Sequence, residues 1–232
     1  MIEKPYCAVL SNHISEKFPA LRQFILENYS QRVFYKKGEE ISSLFNDYVI
    51  YLLTGSVKSY LCNENGEERL MYILLDDTII FNSVNEQFLK TLIVSHPAET
   101  FYIEHKKILN FIREDIDFIS KYTELITARY GILMQQLLSL NHCSAKHKVY
   151  SFIYQLALKY GTVQPSTNYI YIKNFPSFTD IASITGVHRS NATSYINELK
   201  AQDIVGKDKN HFIIKDLQLF EKIITSLDCH EN

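Results

Sequence analysis

The chain has no tryptophan, and sixteen Tyr and fourteen Phe supply its aromatic bulk. Its four cysteines, Cys7, Cys62, Cys143 and Cys229, stand far apart with no short-spaced pair. That spacing argues against a disulfide scaffold and for a reducing, cytoplasmic setting. No apolar run reaches the roughly 18 residues of a membrane span. The start, Met-Ile-Glu-Lys-Pro-Tyr-Cys, lacks the charged-then-apolar pattern of a secretory leader. No His-x-His occurs, which disfavours a metal-bearing strand site and metal-dependent catalysis. Cys143 and His147, with His142 beside Cys143, supply too few ligands to close a zinc site. Strong net charge is missing too, at −2 overall. Residues 1–140 hold 14 Lys and Arg against 18 Asp and Glu, and residues 141–232 hold 10 against 8. The second half is therefore mildly positive, a faint electrostatic footprint for nucleic acid.

What is present centres on Pro176–Leu199. Ser177 followed by Asp180 reads as a capping-box start, and Ile181, Ala182 and Ile184 give a first helix its apolar side. Thr185-Gly186 ends it, because glycine accepts the left-handed conformation a helix terminus often needs. A second helix carries Ala192, Ile196 and Leu199 at i, i+4 and i+7, one buried face. The opposite face shows His188, Arg189, Ser190, Asn191, Thr193, Ser194 and Asn197. A face built only to dissolve a helix is normally rich in Glu and Lys. Short hydrogen-bonding side chains with one arginine at the helix start suit base edges and phosphates in a major groove.

Ahead of this stretch, residues 1–30 read as an amphipathic lead-in through Phe18, Leu21, Phe24, Ile25 and Tyr29. Short strands follow from Arg32 to about Ile112: Arg32–Gly38, Tyr48–Gly55, Ser56–Cys62, Glu68–Leu75, Thr91–Ser95 and Thr100–Glu104, with a hairpin signal at Asn63–Gly66. Many short strands with turns every 8–12 residues indicate a sandwich or barrel. Residues 113–140 read as a long helix. Ile116, Thr123, Tyr130 and Leu137 sit seven apart, as do Ile119, Ile126, Leu133 and Leu140, an a/d seam that suits a dimer. Asn141 is expected to cap its end. Val149, Phe152, Ile153, Leu156 and Leu158 then mark a helix, Tyr169–Ile172 a strand, and Ile204–Ile214 a hairpin wing with Lys207, Lys209 and His211 near its tip.

The run Ile181-Ala182-x-x-Thr185-Gly186-Val187-x-Arg189, closed by Leu199, resembles the helix-turn-helix of the Crp/Fnr family of transcription regulators. Phe34-x-Lys36-x-Gly38-x-x-Ile41, Val49-x-Tyr51-Leu52-Leu53-x-Gly55-Ser56-Val57-Lys58, Gly66 and Leu74-x-x-x-Thr78-Ile79-Ile80-Phe81 are similar to that family's sensor domain. The resemblance implies an α+β fold: an N-terminal double-stranded β-helix, a cyclic-nucleotide-binding-like jelly roll, over residues 1–112; a long dimerisation helix over 113–140; and a C-terminal winged helix-turn-helix over 141–232. It further implies a non-enzymatic, homodimeric regulator that reads a palindromic duplex in the cytoplasm, and that engages RNA polymerase if it activates. In the family, base contacts come from three offsets, which fall here on Arg189, Ser190 and Ser194. The second is often acidic and the third commonly Arg, so the target sequence is not inherited. Asn191 stands where a phosphate-binding Thr is usual.

The resemblance also sorts effectors. Cyclic nucleotide sensors need a Gly-Glu start and an Arg-Ser or Arg-Thr pair in the cassette after the sixth or so strand. Here no Gly lies between Gly66 and Gly131, and no Arg between Arg69 and Arg113. An iron–sulfur sensor needs clustered N-terminal thiolates, and only Cys7 is there. No cofactor is expected, and His13, His96 and His105 carry no haem signature. Tyr72, Arg129 and Tyr130 are the candidate effector residues, a phenol and a guanidinium for a small anionic or aromatic molecule, closest to the branch that regulates halorespiration through halogenated phenols. Two other classes stay open: a thiol redox switch through Cys7, Cys62 or Cys229, and a barrel-fold ligand binder or enzyme that no longer reads DNA.

Overall fold

A computed structural model describes residues 8–41, 47–62, 64–81, 89–113, 116–208 and 211–227. The chain divides into two compact units, Ala8–Arg129 and one from Tyr130 onward, an α+β arrangement in which each unit has its own sheet.

The first unit runs β1 (Val9–Leu10), α1 (Ile14–Lys17), α2 (Pro19–Asn28), β2 (Gln31–Tyr35), β3 (Glu40–Ile41), β4 (Tyr48–Cys62), β5 (Glu68–Leu75), β6 (Thr78–Phe81), β7 (Leu89–Glu104) and α3 (His105–Arg113). The four strands expected at Tyr48–Gly55, Ser56–Cys62, Thr91–Ser95 and Thr100–Glu104 are two long ones. β4 and β7 pair antiparallel from Tyr48↔Glu104 to Cys62↔Leu89, with register shifts between Leu52 and Val57. Gly55 is the hinge. Its φ is +95°, and a Cβ there would lie 2.3 Å from the Pro97 carbonyl oxygen. A bulge bends a strand without ending it. The two halves of each strand then take different partners. β4 pairs with β6 before the bend and β5 after it; β7 pairs with β3 and then β2. Phe18, Leu21 and Ile25 pack with Tyr51, Phe101, Ile103, Ile108 and Phe118 in one apolar cluster.

α3 falls where strand was expected to run on to about residue 112. Ile108, Phe111 and Ile112 stand at helical spacing and turn onto that cluster. α4 (Ile116–His142) follows, and the boundary between the units falls within it. It runs through Asn141, so it does not end where that residue was expected to close it. The break comes at Ser144, whose hydroxyl accepts from the His147 amide at 3.2 Å and starts the next helix.

The second unit comprises α5 (Ala145–Tyr160), β8 (Gly161–Val163), β9 (Ile170–Lys173), α6 (Phe178–Thr185), α7 (Arg189–Ala201), β10 (Val205–Asp208), β11 (His211–Ile214) and α8 (Leu217–Ser226). Its sheet is antiparallel in the order β10-β11-β9-β8. α5 buries Val149, Tyr150, Phe152, Ile153, Leu156 and Ala157. Leu158, expected in that set, is 42% exposed. Two residues beyond Leu156, it points about 200° away around the helix. β8 and α8 were not anticipated; Asp216 caps α8 by accepting from Leu219 N at 2.8 Å.

Candidate nucleic-acid interface and a buried arginine

The helix pair forms by local chemistry. Ser177 Oγ accepts from Asp180 N at 3.2 Å, and Asp180 Oδ2 accepts from Ser177 N at 3.2 Å and from its hydroxyl at 2.7 Å. This reciprocal box begins α6. Gly186, at φ 66°, ends it, and Val187 N donates back to Ala182 O at 3.0 Å. α7 is held by Ala192, Ile196 and Leu199, each with no exposed surface. Its direction is thus set by a seated apolar face, and its other face is displayed.

His188, Arg189, Ser190, Asn191, Ser194 and Asn197 are all exposed, and Thr193 is half-buried. They lie on one face, as their spacing required. Their donors are not all free, however. His188 is the N-cap of α7, and its Nδ1 accepts from Ser190 N at 3.4 Å and lies 2.8 Å from Ser190 Oγ. Thr193 donates its hydroxyl proton to Arg189 O at 2.9 Å. Asn197 Oδ1 accepts from Lys200 at 3.5 Å. The β10–β11 hairpin sets Lys207 opposite Phe212 and Asp208 opposite His211. Lys207 is exposed; Lys209 lies outside the described residues.

The first unit holds chemistry of the opposite kind. Arg129 Nη2 donates to Asn12 Oδ1 at 2.8 Å and to Ile79 O at 2.7 Å. Asn12 is itself 7% exposed. Its Oδ1 also accepts from Ile79 N at 3.2 Å, and its backbone N–H donates to Thr78 Oγ1 at 3.0 Å. Burial lowers the Arg129 guanidinium from its ordinary range, while the phenols of Tyr72 and Tyr122 act the other way. Burial pushes the Tyr72 phenol up to about 12 against the nearby positive charge of Arg129. Tyr72 and Arg129 are therefore within electrostatic reach of one another. Tyr130 is not with them. It is 60% exposed, because neighbours on a helix point about 100° apart. Asn12 was missed, and no local signal marks it: it stands 117 residues from Arg129.

A second polar centre, partly exposed, anchors α1. Asp77 accepts from Ser15 N at 3.0 Å, Ser15 Oγ at 2.6 Å and Tyr51 OH at 2.7 Å. Burial raises its carboxyl, but the hydrogen bonds from Ser15 and Tyr51 together hold it below the ordinary range. Among the described residues no group of three or more His, Cys, Asp or Glu is placed to hold a metal ion, and no helix is long and apolar enough to cross a membrane.

No protein-family model and no curated protein matches this chain. Solved structures do. OCPA-complexed CprK carrying a cysteine-to-serine change superposes with a TM-score of 0.70 at 20% identity, covering 88% of this chain and 93% of that one. A doubly substituted CooA from Carboxydothermus hydrogenoformans gives 0.70 at 17%, covering 87% and 90%. FixK2 from Bradyrhizobium japonicum gives 0.67 at 16%, covering 87% and 98%. These are structures of the Crp/Fnr family. The resemblance carried by the sequence motifs therefore holds at the level of the fold.

Proposed function

We propose that this chain is a non-enzymatic, homodimeric, sequence-specific DNA-binding transcription regulator of the Crp/Fnr type, acting in the cytoplasm under a small-molecule effector. The observation that carries the reading is α7: an exposed Arg, Ser and Asn face backed by three fully buried apolar side chains. In this reading α6 and α7 are the helix-turn-helix and the β10–β11 hairpin is the wing. Arg189 forks onto guanine, and Ser190, Asn191, Ser194, Asn197 and Lys207 add base or phosphate contacts.

The dimer is supported by α4. Ile119, Ile126 and Tyr130, all on the seven-residue seam, are 43%, 47% and 60% exposed in the single chain. A second copy would cover them, and two-fold symmetry would set two α7 helices on half-sites about one DNA turn apart. The first unit is then the jelly-roll sensor. Its effector would be small and anionic or aromatic, met by the Arg129 guanidinium and the Tyr72 phenol; CprK, which shares this fold, is OCPA-bound. Binding there would shift the population of DNA-competent dimers, and an activating dimer would also engage RNA polymerase.

The test is duplex selection from a random palindromic library, followed by binding of the enriched duplex across ionic strength. The expected protein is a dimer whose affinity falls steeply with salt. Arg189→Ala should remain dimeric and lose sequence preference by about 1–3 kcal/mol. A monomer, or an Arg189→Ala variant that binds the selected duplex like the parent, refutes the proposal.

A further inference from the structure

The hydrogen bonds on the displayed face of α7 fix which of its groups can give a proton and which can only receive one. The backbone N–H of Ser190 points at His188 Nδ1, 3.4 Å away. A nitrogen that accepts an N–H has its lone pair in use and carries no proton. The neutral ring therefore bears its hydrogen on Nε2. With Nδ1 an acceptor, the 2.8 Å contact to Ser190 Oγ has one polarity only: the serine hydroxyl donates to the ring. Its single proton is spent inside the helix cap, and what Ser190 shows outward is lone pairs. Thr193 is in the same state, since its hydroxyl proton goes to the Arg189 carbonyl at 2.9 Å. A serine usually reads any base, because its rotor supplies donor or acceptor at will. This one has lost that freedom.

We infer that His188 is a positioning residue that makes Ser190 an obligate acceptor, so that the operator carries, beside the guanine read by Arg189, a base presenting an amino group in the major groove. This deepens the DNA-reading proposal and rests on it. The major groove offers two such groups, adenine N6 and cytosine N4; guanine O6 and thymine O4 are acceptors and would face Ser190 lone pair to lone pair. Along the strand that Ser190 faces, the preferred pairs are A·T and C·G over T·A and G·C. The distinction runs across the more usual purine–pyrimidine and GC–AT classes, which makes it recognisable. One neutral hydrogen bond sets its size at roughly fivefold.

The experiment is duplex selection with the full-length protein and with Arg189→Ala, Ser190→Ala, His188→Ala and His188→Asn. The position whose guanine preference vanishes in Arg189→Ala marks the register. Within two base pairs of it, the parent should favour amino over keto bases roughly fivefold. Ser190→Ala should erase that preference and keep the guanine. His188→Ala frees the Ser190 proton and should relax the preference to about twofold or less, while His188→Asn, whose carbonyl caps helices and accepts, should restore it. A merely structural His188 would weaken all duplexes alike and leave the base pattern alone. Enrichment of a duplex with no preference at that position, or with a GC-against-AT preference, overturns this inference but leaves DNA reading intact. Enrichment of no sequence at all sinks both.

Discussion

The two units of this chain place their polar chemistry in opposite ways. On α7 of the second unit the polar side chains are on display: Arg189, Ser190, Asn191 and Ser194 are all exposed. Between Ala8 and Arg129 they are folded inward: Asn12 and Thr78 are buried, Tyr51 has no exposed surface, and Arg129 bonds to a side chain and a carbonyl of its own unit. A polar group on the outside need not have every bond met by the fold and can offer what is left to a partner. A polar group inside must have them met by the fold. The first arrangement suits recognition of something large that arrives from solvent. The second ties distant segments together, here Asn12 to Thr78, Ile79 and Arg129.

Truncating one arginine from each unit breaks the comparison most sharply. Arg129→Ala leaves a cavity, removes a donor from Asn12 Oδ1 and Ile79 O, and should cost roughly 3–4 kcal/mol of folding stability. Arg189→Ala removes an exposed side chain and should change stability by less than about 0.5 kcal/mol, its effect appearing in DNA binding alone. Urea unfolding of the full chain gives the size, and hydrogen exchange shows whether the loss lies in residues 8–129. Equal stability losses for the two variants would erase the distinction.

A pair of glycines sharpens it. Gly55 combines φ +95° with a Cβ position 2.3 Å from a backbone oxygen, so Gly55→Ala must both strain and displace the β4–β7 bend. The expected cost is roughly 2–3 kcal/mol. Gly186 takes the left-handed backbone, φ 66°, a conformation that should cost Gly186→Ala about 1 kcal/mol. Melting temperatures of the two variants in one buffer decide the order.

This contrast also explains what could be read from the residues alone. The helix pair of the second unit is written locally: Ser177 and Asp180 are three apart, Gly186 closes α6, and the buried and displayed sets of α7 separate by a 3.6-residue period. Those signals lie within 24 residues of chain, Pro176–Leu199, and the structure places them as their spacing required. The strand at Glu68–Leu75 was legible for the same reason, bounded by local turns. The buried network was not. Asn12 meets Arg129 across 117 positions, and neither residue has a neighbour in sequence that announces the other. β4 and β7 were each read as two strands because Gly55 and Pro97 look like terminators; whether such a residue ends a strand or bends it depends on the strand opposite. α3 was lost because Ile108, Leu109, Phe111 and Ile112 form a short apolar run, in which helix and strand periods are hard to separate.

The smallest effect separates two helix starts, one capped from within and one from afar. At α6 the acceptor is Ser177, three residues from the amide it serves; Ser177→Ala should cost about 1 kcal/mol. At α1 the N-cap residue His13 gives no side-chain bond, and the work falls to Asp77, 62 residues from Ser15. Asp77→Asn keeps the size and the left-handed backbone that Asn tolerates, but loses the charge in bonds from Ser15 and Tyr51, a cost of roughly 1–2 kcal/mol. Acid distinguishes the two. Burial opposes ionisation of Asp77, yet the Ser15 and Tyr51 bonds outweigh it and hold the carboxyl low. A depressed carboxyl contributes stability above its unfolded pKa of about 3.9 and loses it as pH falls through the lower folded value. The parent and Ser177→Ala should therefore both lose this contribution as pH falls below about 4, and Asp77→Asn should not. Melting curves recorded between neutral pH and that acid range test this, and an Asp77→Asn variant that loses stability in acid as steeply as the parent would show that the remote cap is no stronger charged than neutral.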